Sequence, residues 1–394
     1  MVKLSFKKFV VAGILITSLI IAGLYFRSLP KLGGNEVSLD IPPSSAVQLP
    51  WPAYGKAAIG TAEHGLLAAN GPDKQVPIAS ITKLLTAMAV LKQKPLNVGE
   101  QGPAITISDV DAADFKKYLA LGGSVVPLKS GQLISQYQAL QALLIPSANN
   151  VADSLARWAF GSVNAYVTYA NQMLRNMGLK YTKVADASGF SPGSSSSARD
   201  LVVLAKMALE EPIIASLVNQ AQSDIPGIGV VKSTNVLLGN DGVIGIKTGN
   251  TNEAGGCFLL AAVRTVAGQQ VITVVSVLGA PNLLTAVNDA KKLLLASDGG
   301  FENVNIVAKG QVVGNYFAPW GESSKAIATS NISLLAWKGS NVKPELSLRP
   351  LKIPVDGGAM VGSIRASFGQ TNKTVAVVLE QSISKPPFKW RLFR

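Results

Sequence analysis

The chain has 394 residues, 48% of them apolar and only 15% charged, enough for a sizeable core and too apolar for a disordered chain. Lys plus Arg outnumber Asp plus Glu by 36 to 23, a formal charge of +13 that favours anionic surroundings such as phospholipid headgroups, wall polymers or nucleic acid. One cysteine, Cys257, and one histidine, His64, exclude an intrachain disulfide and a zinc site built from several His and Cys ligands.

The chain opens with a basic stub, residues 1–8, holding Lys3, Lys7 and Lys8. An uncharged run of 18 residues follows, Phe9 to Phe26, about 27 Å long as a helix. That length is at the short end of a membrane span. Leu24, Tyr25, Phe26 and Arg27 leave no A-x-A cleavage site, so residues 9–26 read as an uncleaved anchor rather than a signal peptide. Cations stay inside, so the bulk of the chain is expected on the extracytoplasmic side. Residues 27–50, rich in Pro, Gly and Ser and without periodicity, read as a linker.

Residues 51–298 mix helical and strand patterns. Apolar positions 81, 84, 85, 88 and 91 form a helical stripe over Ser80–Leu91, and Leu133–Leu144 repeats it. Ser197-Ala-Arg-Asp200 reads as a capping box opening a helix over Leu201–Leu209. Val243–Lys247, Cys257–Val263 and Val271–Leu278 read as successive strands, and Leu283–Leu295 as a helix. This order predicts an α+β fold, an antiparallel sheet with helices packed on it. Beyond Gly299-Gly300 helical periodicity stops. Short apolar runs at 304–307, 312–317, 332–337, 359–364 and 374–379 predict a small all-β domain over 299–384. Residues 385–394 form a basic aromatic tail with Phe388, Trp390 and Phe393.

Three short motifs carry chemistry. In Ser80-Ile-Thr-Lys83 a helix puts hydroxyl and amine on one face. A serine needs a base to become a nucleophile, and without a useful histidine the lysine is the base at hand. Burial and nearby cations favour its neutral form. Ser80 at a helix start also meets free N–H groups that suit an oxyanion. In Ser147-Ala-Asn149, after Pro146, a hydroxyl is placed to relay a proton between the lysine and a leaving amine. In Lys247-Thr248-Gly249, ending a strand, a cation and a hydroxyl suit a substrate carboxylate, and the glycine admits a close backbone. Each motif alone is weak. Their order, with 67 and 100 residues between first members, is a strong signal.

This set, with S-D-N as its usual middle member, belongs to class A β-lactamases and penicillin-binding proteins. The chain resembles the low-molecular-mass penicillin-binding proteins, serine-type D-alanyl-D-alanine carboxypeptidases. Pro77–Met88, Leu140–Ala152, Ser197–Leu201 and Lys247–Gly255 are similar to family segments. The resemblance covers about residues 50–298, and the β domain fits the family's second domain. It implies a penicillin-binding/β-lactamase-like transpeptidase fold with a helical subdomain. It makes Ser80 the acylated nucleophile, Lys83 the base and Ser147 the proton shuttle. Asn149 would hold the substrate or Lys83, and Lys247 and Thr248, beside Gly249, would bind the terminal carboxylate. The backbone N–H groups of Ser80 and Asn250 would form the oxyanion hole. The implied substrate is the peptidoglycan stem peptide, β-lactams are covalent inhibitors, and no cofactor or metal is needed.

The chain departs from the family at Ser147-Ala-Asn149, at Asn150 where many members have Asp, and at Ala280-Pro281 where some have a carboxylate-binding arginine. The tail is also shorter than the usual anchoring helix. A DD-endopeptidase would use the same acyl-enzyme. A β-lactamase needs a glutamate aimed at water, and Glu210 and Glu211 are poorly placed for it. A non-catalytic wall-binding scaffold would not need Ser80 and Lys83 together. His64 reads as a surface turn residue, and Cys257 as a small core residue. The tail is the sole basic stretch with interleaved aromatics, so nucleic acid is not expected as a partner.

Overall fold

In a computed structural model, residues 6–394 are described, with side chains from Lys8 onward. The first five residues, including Lys3 of the basic stub, lie outside the described residues. The chain divides into two compact units, residues 46–302 and residues 1–45 with 303–394.

The first unit is built on a five-stranded antiparallel sheet. Its order is Val243–Thr251, Gly255–Val266, Gln269–Ala280, Lys56–Thr61, Gly65–Asn70, so the earliest strands pair onto the last. The central strands are apolar without alternation because both faces are covered. Ala58, Leu259, Ala261, Val274 and Leu278 join the main core, with the helices Thr82–Gln93 and Ala198–Glu210. Their alternates Ile59, Leu260, Val275 and Val277 are also fully buried, and the helix Leu283–Ser297 packs on the same strands.

The helical stripe of Ser80–Leu91 is realised as a 3-10 turn, Ala79–Ile81, running into the helix Thr82–Gln93. Leu133–Leu144 is split. Leu133–Ser135 is a short strand, and the helix Gln136–Leu144 starts behind Ser135, whose side chain accepts from Gln138 N in a capping box. A capping serine inside an apolar stripe marks the true start. Ser197 caps its helix by accepting from Asp200 N, three residues before the expected start. Asp200 does not reciprocate, because its carboxylate accepts from Tyr181 N and Thr182 Oγ1. His64 sits in the turn between the first two strands, with Nδ1 3.0 Å from Thr61 Oγ1. Cys257 is fully buried against Pro77 O and Ala254 O, and burial pushes its thiol up to about 11.

The second unit holds a six-stranded antiparallel sheet in the order Gly34–Glu36, Val312–Phe317, Ser323–Ala328, Thr371–Leu379, Met360–Phe368, Glu345–Leu348. Val313, Leu334, Val361, Ile364 and Val377 form its core. The linker expected over 27–50 is therefore partly structured: Gly34, Asn35 and Glu36 pair with Tyr316, Asn315 and Gly314, and Leu32 is buried in this core. A three-residue edge strand carries too little pattern to stand out among Pro and Gly. The helix Phe6–Tyr25 belongs to this unit and is long and apolar enough to cross a membrane. The tail ends in a short helix, Phe388–Phe393, from which Arg391 donates to Tyr25 O at 3.0 Å.

Candidate active site

The three motifs meet at one end of the first unit's sheet. Ser80 stands half-buried in the 3-10 turn, and Lys83 follows in the first turn of the helix, fully buried. Lys83 Nζ lies 2.7 Å from Ser80 Oγ and donates to Asn149 Oδ1 at 2.6 Å and to Ser188 O at 2.8 Å. Burial holds the Lys83 pKa well below the ordinary lysine value, and repulsion from Lys247 lowers it further, against the pull of Asp186 and Asp153. The positive end of its own helix acts in the same direction. Lys247, also buried, is pushed down to about 7 by burial alone. We assign the cation to Lys247 and the neutral form to Lys83, whose two hydrogens then serve Asn149 Oδ1 and Ser188 O while its lone pair accepts from the Ser80 hydroxyl. Lys83 then feels a charge that it does not return.

Backbone conformation is strained around the nucleophile. Ala79 has φ +46° and Ser147 φ +67°, in the left-handed region that costs an ordinary residue about 1–3 kcal/mol. The strain at Ser147 follows Pro146 and precedes the helix Asn149–Phe160, whose first residue brings Asn149 to Lys83. Asn149 N donates to Ser124 O at 2.7 Å, fixing that helix start. Ser147 Oγ is buried with no protein hydrogen-bond partner, so a buried hydroxyl in the site is left for a ligand or a proton.

The strand Val243–Thr251 brings Lys247 and Thr248, both buried, to the same place. Gly249 lets it lie against the nucleophile turn, since a Cβ there would stand 2.7 Å from Ile78 O and 3.2 Å from Ser80 N. Asn250, next along, is exposed at the strand's end. Thus Asn149, Lys247 and Gly249 are brought to the Ser80–Lys83 turn, and Ser147, Thr248 and Asn250 adjoin them in the chain.

Some residues of the site were not foreseen. The loop after Val184 is folded around Asp186, whose carboxylate accepts from Gly189 N, Phe190 N, Ser191 N and the Ser188 hydroxyl. That knot presents Ser188 O to Lys83. Gly189 is required there, because at φ +76° a side chain would collide with Ala79 O. Asp186-Ala-Ser-Gly189 carries an Asx-turn signal, but nothing in it points to Lys83. Tyr118 donates to Asp153 at 2.8 Å and its ring meets Phe190 edge-on at 5.6 Å. Thr234 places its hydroxyl 2.6 Å from that of Thr248. Among the described residues no cluster of His, Cys, Asp and Glu could hold a metal.

A family model described as D-alanyl-D-alanine carboxypeptidase matches residues 56–282, more than half of the chain. A D-alanyl-D-alanine endopeptidase of Pseudomonas aeruginosa is 32% identical over 268 residues, 66% of this chain and 82% of that protein. The D-alanyl-D-alanine carboxypeptidase DacA of Escherichia coli is 26% identical over 333 residues, 82% and 81% of the two chains. Among solved structures, penicillin-binding protein 6B of Escherichia coli superposes with TM-score 0.63 at 23% identity, covering 87% of this chain and 98% of that one. At that identity it speaks for the fold alone.

Proposed function

This chain belongs to the D-alanyl-D-alanine carboxypeptidase family, a family of serine peptidases, and on that premise we propose that it removes the terminal D-Ala from peptidoglycan stem peptides through a Ser80 acyl-enzyme. The observation that carries the reading is Lys83: a buried amine with a depressed pKa, 2.7 Å from the Ser80 hydroxyl.

Neutral Lys83 takes the Ser80 proton as Oγ bonds to the carbonyl carbon of the penultimate D-Ala. The carbonyl oxygen becomes an oxyanion beside the backbone N–H groups of Ser80 and Asn250. Lys247 and Thr248 hold the terminal carboxylate and so fix which bond faces Ser80. As the tetrahedral intermediate collapses, the C–N bond breaks, and Ser147 Oγ passes the proton from Lys83 to the leaving amine. Asn149 keeps Lys83 aimed through its 2.6 Å hydrogen bond. Water then attacks the ester, returns a proton to Ser80 and releases the shortened peptide. A β-lactam, with its own strained amide and carboxylate, would acylate Ser80 in the same way and stay.

We place the catalytic unit on the extracytoplasmic side of a bacterial membrane, with the apolar helix ending at Tyr25 as anchor. Sedimentation of the full chain with membranes, and its release when residues 1–26 are removed, tests this.

Two assays test the chemistry. Benzylpenicillin should add once to the wild type and not to Ser80→Ala. D-Ala should then be released from a soluble pentapeptide. The Pseudomonas relative's name favours a second reading, cleavage of D-Ala crosslinks. Hydrolysis of a crosslinked dimer in preference to the pentapeptide would select it.

A further inference from the structure

Thr248 carries the hydroxyl that, beside Lys247, meets the substrate carboxylate in the reading above. Its Oγ1 lies 2.6 Å from Thr234 Oγ1. A hydroxyl has one hydrogen to give and two lone pairs to receive. The pair can therefore be wired in two ways. With Thr248 donating to Thr234, its hydrogen is spent, and a bound carboxylate faces only lone pairs. With Thr234 donating, the Thr248 hydrogen is free for the carboxylate, and each bond in the chain polarises the next.

A bound carboxylate, which can only accept, selects the second wiring, and nothing among the described residues opposes it. Among the described residues Thr248 is the one hydrogen-bond partner of the Thr234 hydroxyl, so its hydrogen has no competing acceptor in the protein. The segment that carries it is pinned on several sides. Ser233 N donates to Ala221 O at 2.8 Å, Thr234 N to Ile145 O at 3.3 Å, and Leu237 N to Asn235 Oδ1 at 3.0 Å. Thr234 thus ties the strand of Thr248 to the segment that leads through Pro146 to Ser147. Ala280-Pro281 supplies no arginine, so on this reading the carboxylate rests more heavily on the hydrogen of Thr248 and the Lys247 ammonium.

We propose that Thr234 is a positioning residue for the substrate carboxylate, donating to Thr248 so that Thr248 donates to the substrate. This rests on the reading that Lys247 and Thr248 receive the carboxylate. Thr234 touches neither the nucleophile nor the scissile bond, so its effect falls on binding rather than on bond breaking.

The test uses the full chain in detergent and two forms of one soluble peptide ending in D-Ala-D-Ala, the free acid and the C-terminal amide. Thr234→Val removes the hydroxyl at constant shape, and Thr234→Ser keeps it. With the acid, Thr234→Val should raise KM roughly 10-fold and leave kcat within about twofold. Thr234→Ser should restore KM, and on the amide Thr234→Val should equal the wild type. Equilibrium binding to Ser80→Ala, with and without Thr234→Val, should repeat the loss on the acid alone and needs no turnover. The proposal is overturned by an unchanged KM on the acid, by equal losses on acid and amide, or by failure of Thr234→Ser to rescue. If benzylpenicillin fails to acylate Ser80 while the hydroxyl-dependent preference for the acid persists, the peptidase reading falls and the role of Thr234 stands.

Discussion

The two units bury different things. Among the described residues, Ser324 is the one buried polar side chain of the β-rich unit, whose core is otherwise Val, Leu, Ile and Ala with Tyr316. The catalytic unit buries Lys83, Lys247, Asp111, Asp114, Asp153 and Asp200 together with a dozen or more hydroxyls and amides. Burying charge works against stability unless each group is partnered. Asp111 and Asp114 are partnered, by Arg157. Lys247 is not: its Nζ reaches only Thr248 O, at 3.2 Å. Among the described residues Ser147 Oγ has no hydrogen-bond partner. Both belong to the motifs, and in the proposed mechanism a substrate carboxylate and a leaving amine supply what is missing. On the proposed reading, one unit uses its interior for stability and the other leaves Ser147 and Lys247 for the substrate.

Four substitutions or conditions sharpen that contrast, ordered by their effect on acylation. Lys83→Ala should slow acylation of Ser80 by about 10²- to 10⁴-fold, the range of a lost general base, with the far-UV circular dichroism unchanged. Stopped-flow acylation by a chromogenic β-lactam reads it. Gly249→Ala should come next, at about 10- to 100-fold, because the added Cβ meets the carbonyl of Ile78, which is backbone and must move, and a misplacement of about 1 Å costs that much.

The third is pH. In the proposed mechanism acylation needs Lys83 neutral and carboxylate binding needs Lys247 charged. On that account kcat/KM rises with pH through the depressed value of Lys83 and falls again above about 7 as Lys247 loses its proton. The two limbs belong to the coupled pair. Stability should move in the opposite sense to the falling limb. Between pH about 7 and the ordinary 10.5, the unfolded chain holds a proton on Lys247 that the folded chain has lost. The catalytic unit should therefore gain up to about 1.4 kcal/mol per pH unit from this lysine, while the β-rich unit, which buries no charge, shows no such slope. Limited proteolysis in urea at pH 7.5 and pH 9, scored for each unit, checks both. Leu334→Ala has the smallest effect on acylation, none at permissive temperature, yet it should destabilise the β-rich unit by about 2–5 kcal/mol. A comparable loss of acylation there would break the contrast.

The contrast also separates what sequence patterns reveal from what they hide. Ser80 and Lys83 are legible because hydroxyl and amine three positions apart must share a helical face, and Lys247-Thr248-Gly249 because it follows an apolar run, although the strand itself continues to Thr251. The continuous strands Gly255–Val266 and Gln269–Ala280 were legible as far as their apolar cores, short of their ends. Ser188 was hidden because its contribution is a backbone carbonyl, 105 residues from Lys83, which any residue type could supply. Thr234 was hidden because a lone threonine has no pattern, and only strand and loop brought together reveal the pair. The strand Gly34–Glu36 was hidden because its pairing with 314–316 depends on backbone groups rather than on an apolar alternation.

The central claim is that Ser80, activated by Lys83, becomes acylated. The most direct measurement is the intact mass of the full chain over time with benzylpenicillin, beside Ser80→Ala. The account predicts one long-lived adduct of a single penicillin on the wild type and none on the variant. A wild type that stays free of adduct while the drug remains intact would contradict it.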